Sequence, residues 1–273
     1  MPRPTALRDA LRVNPGSRVR LAKIDAAATF GFDKASAAPV LERQLDRMSV
    51  LQDRFWAEAK QSVLVVLQGI DAAGKDGTIN KVMEAFNPLG CVVSSFKVPT
   101  AEELAHDYLW RIHKRVPGKG EIGIFNRSHY EDVLVVRVHK LVPRRVWSAR
   151  YDQINDFERT LAASGTTIVK FFLTIDRDEQ RSRIQARYDD PTKRWKFSMG
   201  DLEERQLWDD YQAAFDEALS KTSTARAPWY VIPANRKWFR DLAVATILAD
   251  TLAALTPTYP PVADDVPADL VIE

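Results

Sequence analysis

Apolar residues recur along this chain in two rhythms. Over 40–60, Leu41, Leu45, Met48, Leu51 and Phe55 fall three or four apart, the spacing that lays one stripe along an amphipathic helix. The next run, 63–67, reads Val-Leu-Val-Val-Leu with no polar residue interposed. An unbroken aliphatic run of that length predicts a strand covered on both faces, as in a parallel sheet. Similar runs recur at 91–96, 122–125, 168–175 and 229–232. Helical spacing fills the intervals at 75–86, 101–115, 143–163, 177–187 and 202–219, and a last helix is expected over 236–255. Strands alternating with helices predict a doubly wound α/β fold.

The ends have a different texture. Residues 1–38 mix basic residues, Pro, Gly and an Ala-rich stretch. They read as an extended arm lying over the main body or a partner subunit. The main domain is expected over 39–258, and the Pro-rich, acidic tail 259–273 is expected to be mobile.

Composition narrows the function classes. With 45% hydrophobic and 28% charged residues the chain can bury a sizeable core. Its 39 Lys and Arg nearly cancel 37 Asp and Glu, whereas a dedicated nucleic-acid binder carries a clear basic excess. A polyanion site must therefore come from local clustering, and no nucleic-acid partner is expected. Cys91 is the only cysteine, beside four scattered His, so neither a disulfide nor a zinc pattern is present. Cys91 reads as a small apolar filler on a strand. No apolar run approaches about 18 residues, so no membrane span is expected. Residues 1–10 lack the apolar stretch of a secretory signal, and a cytoplasmic location is expected.

The strongest local signal is Gly69-Ile-Asp-Ala-Ala-Gly-Lys75, directly after the first strand and opening a helix. It has the G-x-x-x-x-G-K spacing of a phosphate loop in the required strand–loop–helix context. The N–H groups of Gly69, Ala72, Ala73, Gly74, Lys75, Asp76 and Gly77 are the candidates to converge on phosphate oxygens, aided by the helix N-terminus. Lys75 is then within reach of the phosphoryl group in transfer. Asp76 stands where Ser or Thr normally meets the metal, and either binds Mg2+ or caps the helix. Asp71, inside the loop, either caps the same helix or is aimed at phosphate and metal.

Two further clusters follow strand ends, where α/β sheets place their crevice. After the third strand comes Asn126-Arg127-Ser128-His129-Tyr130-Glu131-Asp132. Asn126 stands where P-loop enzymes often place a metal-positioning Asp, and Arg127 is a phosphate clamp candidate. His129 is either a phosphate contact or a hydrogen-bonded structural residue. Glu131 and Asp132 either cap a helix or face an acceptor nucleotide. The segment 177–201 crowds Arg177, Arg181, Arg183, Arg187, Lys193, Arg194 and Lys196 around Pro191. It is either a solvated basic face or a mobile lid whose arginines close over a transferring phosphoryl group. Lys97, Arg111, Lys114 and Arg115 either line a groove for a long anion or are surface charges. Composition and spacing alone point to a P-loop phosphotransferase and no further.

The segments GIDAAGKDGT, FNRSHYEDVLV and DDPTKRWKFS resemble the phosphate loop, second motif and lid of the family-2 polyphosphate kinases. The similarity spans about 40–255. It implies a P-loop kinase core around a five-stranded parallel sheet with a helical lid, a polyphosphate channel, Mg2+ (with Mn2+ able to substitute), and a homo-oligomer, dimer or tetramer. By position it places Asp71, Asn126 and Glu131 at the metal and nucleotide end. Lys75, Arg127 and Arg187 would act on the phosphates in transfer. Lys97 and Arg183 are expected along the polyphosphate path, and His129 and Asp132 beside the nucleotide. Asn126, where many members carry Asp, resembles the subset acting on nucleoside mono- and diphosphates, so AMP and ADP are expected acceptors, with GMP and GDP further candidates. The rival readings are an ATP-dependent nucleoside or nucleotide kinase and a non-catalytic P-loop polyanion-binding module.

Overall fold

The computed structural model describes residues 4–263, with side chains from Leu7 onward. A short helix α1 (Pro4–Leu11) is followed by an irregular stretch and the long helix α2 (Lys34–Glu58). Then come β1 (Ser62–Gln68), α3 (Lys75–Val82), β2 (Cys91–Ser95), α4 (Ala101–Leu104), α5 (Trp110–His113) and β3 (Ile122–Asn126). After these follow α6 (Val135–Val138), α7 (Arg144–Ala163), β4 (Thr166–Thr174), α8 (Arg177–Asp189) and α9 (Met199–Gln206). The last elements are α10 (Trp208–Thr222), β5 (Trp229–Pro233) and α11 (Lys237–Ala254). The five strands pair in parallel in the order β2-β3-β1-β4-β5. All strand C-termini therefore face one crevice, as the fold class requires. No helix among the described residues is long and apolar enough to cross a membrane.

β1, β3, β4 and β5 are buried along nearly their whole length, as their unbroken apolar runs predict. β2 departs from that reading. It is a sheet edge, with Val92 and Val93 45% and 48% exposed. The opposite edge is covered: Arg12 makes an antiparallel bridge to Tyr230, and the Val13 N–H donates to the Trp229 carbonyl at 2.9 Å. The arm thus contains a helix and joins the core through Leu7, Leu11, Val13, Val19, Leu21 and Phe32.

The expected boundary at 38/39 falls inside α2. Asp33 and Ser36 form a capping box that starts this helix ahead of Pro39. The helix expected over 101–115 is two single turns. That over 202–219 begins at Met199 and breaks at Leu207. Most of the tail lies outside the described residues, but Tyr259 is fastened to α2 by donating its hydroxyl to Asp53. α11 is almost wholly buried and largely apolar, and its buried Arg240 and Asp241 pair with each other.

Candidate active site

The loop between β1 and α3 closes tightly around Gly74. Its φ is +106°, and a Cβ there would collide with the Arg240 guanidinium, so only glycine is tolerated. Lys75 is 8% exposed and donates to the carbonyls of Gly69 (2.7 Å) and Ile70 (3.3 Å). Desolvation, reinforced by the Arg127 charge, lowers its pKa to about 8 despite the nearby Asp71, Glu131 and Asp76. Asp76 caps no backbone N–H as the first-turn reading allowed. It accepts a 2.8 Å hydrogen bond from the Asn126 amide, which ties the loop helix to the end of β3.

Two arginines of α8, four residues apart, have different duties. Arg183 donates to the carbonyls of Ala72 and Ala73 (3.1 and 2.9 Å) and of Ala234 and Asn235 (2.5 and 3.2 Å), with its Nε on Glu179. Its donors brace the loop against the chain after β5, and its side chain lines the basic groove at the loop. Arg187 instead spans the crevice, 3.4 Å from Asp71 and 3.1 Å from Asp201 at the start of α9.

Arg127 follows β3 in the left-handed region at φ +63° and lies 3.4 Å from Glu131. The intervening His129 turns the other way. It is fully buried, 3.3 Å from Glu158, and burial lowers its pKa. It is the structural histidine of the two readings and cannot touch a nucleotide. Asp132 also departs from expectation. It pairs with Arg150 at 3.0 Å and lines a separate cavity with Tyr108 and Arg111, and burial raises its pKa to about 6. Lys97 is exposed and lines neither of the two hollows that meet at the loop.

One of these hollows, of about 270 Å³, combines apolar Leu134, Val135 and Phe215 with Tyr211, Arg127 and the carboxylates of Glu131, Asp201 and Glu204. The other, about 370 Å³, carries seven basic side chains, including Lys75, Arg187, Lys193, Lys196, Lys237 and Arg240. Asp71 is the single residue lining both. Lys237 and Arg240 were not anticipated. They open α11 just after β5, and the rule that parallel strand ends share one crevice would have found them. Tyr211 and Phe215 had no signal beyond helical spacing.

The donor set bears on metal choice. No group of three or more His, Cys, Asp or Glu that could hold a metal exists among the described residues. Asp71, Asp76 and the Asn126 amide oxygen at a phosphate loop suit Mg2+, which keeps several waters and takes one or two carboxylates plus substrate phosphates. Glu131 is held by Arg127 on the apolar side.

The family model described as Polyphosphate kinase 2 matches residues 32–259. A Meiothermus ruber protein named AMP/ADP-polyphosphate phosphotransferase is 56% identical over 254 residues, 91% of this chain and 94% of its own. A Rhodopseudomonas palustris protein named ADP-polyphosphate phosphotransferase is 45% identical over 262 residues, 91% of each chain. The crystal structure of polyphosphate kinase 2 from Arthrobacter aurescens TC1 superposes with a TM-score of 0.91 at 44% identity, covering 95% of this chain and 93% of that one.

Proposed function

The chain belongs to the polyphosphate kinase 2 family, and from that premise we infer how its two hollows divide one reaction. The protein is a phosphotransferase that moves phosphoryl groups between inorganic polyphosphate and nucleotides. The basic groove takes the polyphosphate, since its cations outnumber Asp71 and Asp76 and their spread suits a long anion. The other hollow, the one with an aromatic and aliphatic wall, takes the nucleotide, with base and ribose against Tyr211, Phe215 and Val135 and the phosphates toward Arg127. One observation carries this division: Asp71 stands in the wall common to both, where a phosphoryl group passing between them must go. AMP and ADP are the acceptors we assign, by analogy with the Meiothermus ruber relative's name.

The reaction is a displacement at phosphorus. A phosphate oxygen of the acceptor attacks the terminal phosphorus of the chain, the P–O bond to the rest breaks, and a polyphosphate shorter by one unit leaves. Loop N–H groups and the N-terminus of α3 hold the chain end. Lys75 exchanges the carbonyls of Gly69 and Ile70 for a phosphoryl oxygen, since a charged acceptor makes the stronger bond. Arg127 and Arg187 present planar donor forks to the equatorial oxygens from the two sides of the cleft. Asp71 and Asp76 would hold Mg2+, which supplies charge neutralisation on phosphate oxygens when bound. Helices α8 and α9 form the lid that keeps water from competing as the acceptor.

Incubation with AMP, ADP or GDP plus polyphosphate and Mg2+, with products read by chromatography, tests the assignment. ATP from AMP and ADP at the expense of polyphosphate is expected. Phosphorylation of nucleosides or nucleotides by ATP alone would favour the ATP-dependent kinase.

A further inference from the structure

Behind the 127–132 segment, away from the cleft, lies a buried polar set that no step of the phosphoryl transfer uses. Lys170 of β4 is fully buried and donates to Glu158 Oε2 (2.6 Å), the Tyr130 hydroxyl (2.8 Å) and the Thr222 carbonyl (2.7 Å). All three ammonium protons are thereby placed. Glu158 of α7 accepts the Tyr130 hydroxyl proton on Oε1 at 2.7 Å, and the same oxygen lies 3.3 Å from His129 Nε2. One carboxylate therefore fastens two consecutive side chains, and one lysine ties that carboxylate to the sheet.

As a stabilising device this set is a poor choice. Desolvating two charges offsets most of their attraction, and apolar replacements of such pairs are often neutral or better. What it does supply is direction. His129 and Tyr130 open a single 3-10 turn, His129–Asp132. The residues that reach the acceptor hollow, Arg127 and Glu131, flank them on the opposite side. Arg127 holds a left-handed backbone at φ +63°, which a non-glycine residue keeps only when its surroundings fix it. On one side the Arg127 N–H is fixed by the Leu67 carbonyl at 3.1 Å, and Ser128 accepts from Gln68 at 3.2 Å. On the other side the fixing comes from the anchored His129 and Tyr130.

We propose that Lys170, Glu158 and Tyr130 are positioning residues, a buried ion-pair pedestal that holds Arg127 in its strained conformation at the phosphoryl end of the acceptor hollow. The proposal rests on reading Arg127 as a phosphate clamp. Tyr130→Phe isolates the tie. It removes one hydroxyl, leaves the Lys170–Glu158 pair intact, and keeps the ring packed edge-on against Trp229 at 4.8 Å.

Steady-state kinetics with ADP, polyphosphate and Mg2+ on Arg127→Ala, Tyr130→Phe and the combined variant provide the test. Tyr130→Phe should lower kcat about tenfold while nucleotide KM stays within about threefold, as for a displaced transition-state group. In the Arg127→Ala background it should cost less than about twofold, because a pedestal without its arginine has nothing to position. Fully multiplying losses, or parental kcat in Tyr130→Phe, would overturn the proposal. Parental turnover in Arg127→Ala would instead remove the clamp reading beneath it. The charge-free pair Glu158→Gln with Lys170→Met, its fold checked by thermal melting, should show the same dependence on Arg127. Full activity in that folded variant would also overturn it.

Discussion

Lys75 is 8% exposed, and burial beside Arg127 brings its pKa down to about 8. The unfolded chain keeps that proton to near pH 10.4, so between these values the unfolded state binds more protons and stability rises with pH. Below pH 8 the buried ammonium costs the fold on the order of 3 kcal/mol. Lys75→Met should therefore raise Tm by about 2–4 °C even after losing the contacts to Gly69 and Ile70, while turnover falls by about 10²–10³. A lower Tm in a differential scan would contradict this. The same pKa predicts that kcat/KM, which reports the free enzyme, declines above about pH 8. Arg187 poses a separate question of shape. Held 3.1 Å from Asp201 and 3.4 Å from Asp71, it can exchange these carboxylates for phosphoryl oxygens. Arg187→Lys keeps the charge and loses the fork. Turnover should fall about 10²-fold or more with nucleotide KM little changed. Retained turnover at saturating polyphosphate would make Arg187 a mere lid latch.

At the scale of elements, the hollows belong to different helices and should respond to mutation separately. Lys237 opens α11 and Lys196 lies in the lid turn, both on the basic groove. Lys237→Ala or Lys196→Ala should raise polyphosphate KM several-fold, more at low salt, because exposed charges are screened over about 10 Å at 0.1 M. Phe215→Ala in α10 should raise nucleotide KM and leave polyphosphate KM near parental. Crossed effects would dissolve the division of labour. The β1–loop–α3 unit could be read in the sequence because that glycine spacing, set between a buried strand and a helix, is what curls a backbone around phosphate. The faces of helices could not. Arg183 and Arg187 share a helix face by spacing, yet Arg183 is drawn to loop carbonyls while Arg187 reaches across the cleft. Periodicity states which residues are neighbours, not what that face packs against. His129 shows the same limit: beside Arg127 in sequence, it is buried because Glu158, 29 residues on, receives it.

At the scale of the whole molecule, one contiguous core runs from Leu7 in α1 to Leu252 in α11. Alternation of strand and helix was sufficient to anticipate the parallel sheet, but strand order and edges depend on long-range pairing that local pattern does not encode. Thus β2 and β5 carried the same apolar signal, and only β5 gained a cover, from an arm that reads locally as irregular. That cover is anchored by Leu11, 5% exposed. It also touches the support of the loop between β1 and α3, since the Asn235 N–H donates to the Ala26 carbonyl at 3.0 Å while the Asn235 carbonyl receives Arg183. Leu11→Ala removes apolar volume from α1 and leaves the backbone hydrogen bond between Asn235 and Ala26 untouched. It should cost about 2–4 kcal/mol, read as a lower urea midpoint with an unchanged m-value. Turnover per folded molecule should remain within about twofold, because the loop's brace is made by Arg183 rather than by α1. A loss well under 1 kcal/mol would mean that the arm contributes little to the core. A large fall in turnover in the still-folded variant would mean that the arm transmits its position to the phosphate loop through Asn235, and Asn235→Ala should then reproduce the fall without the loss of stability.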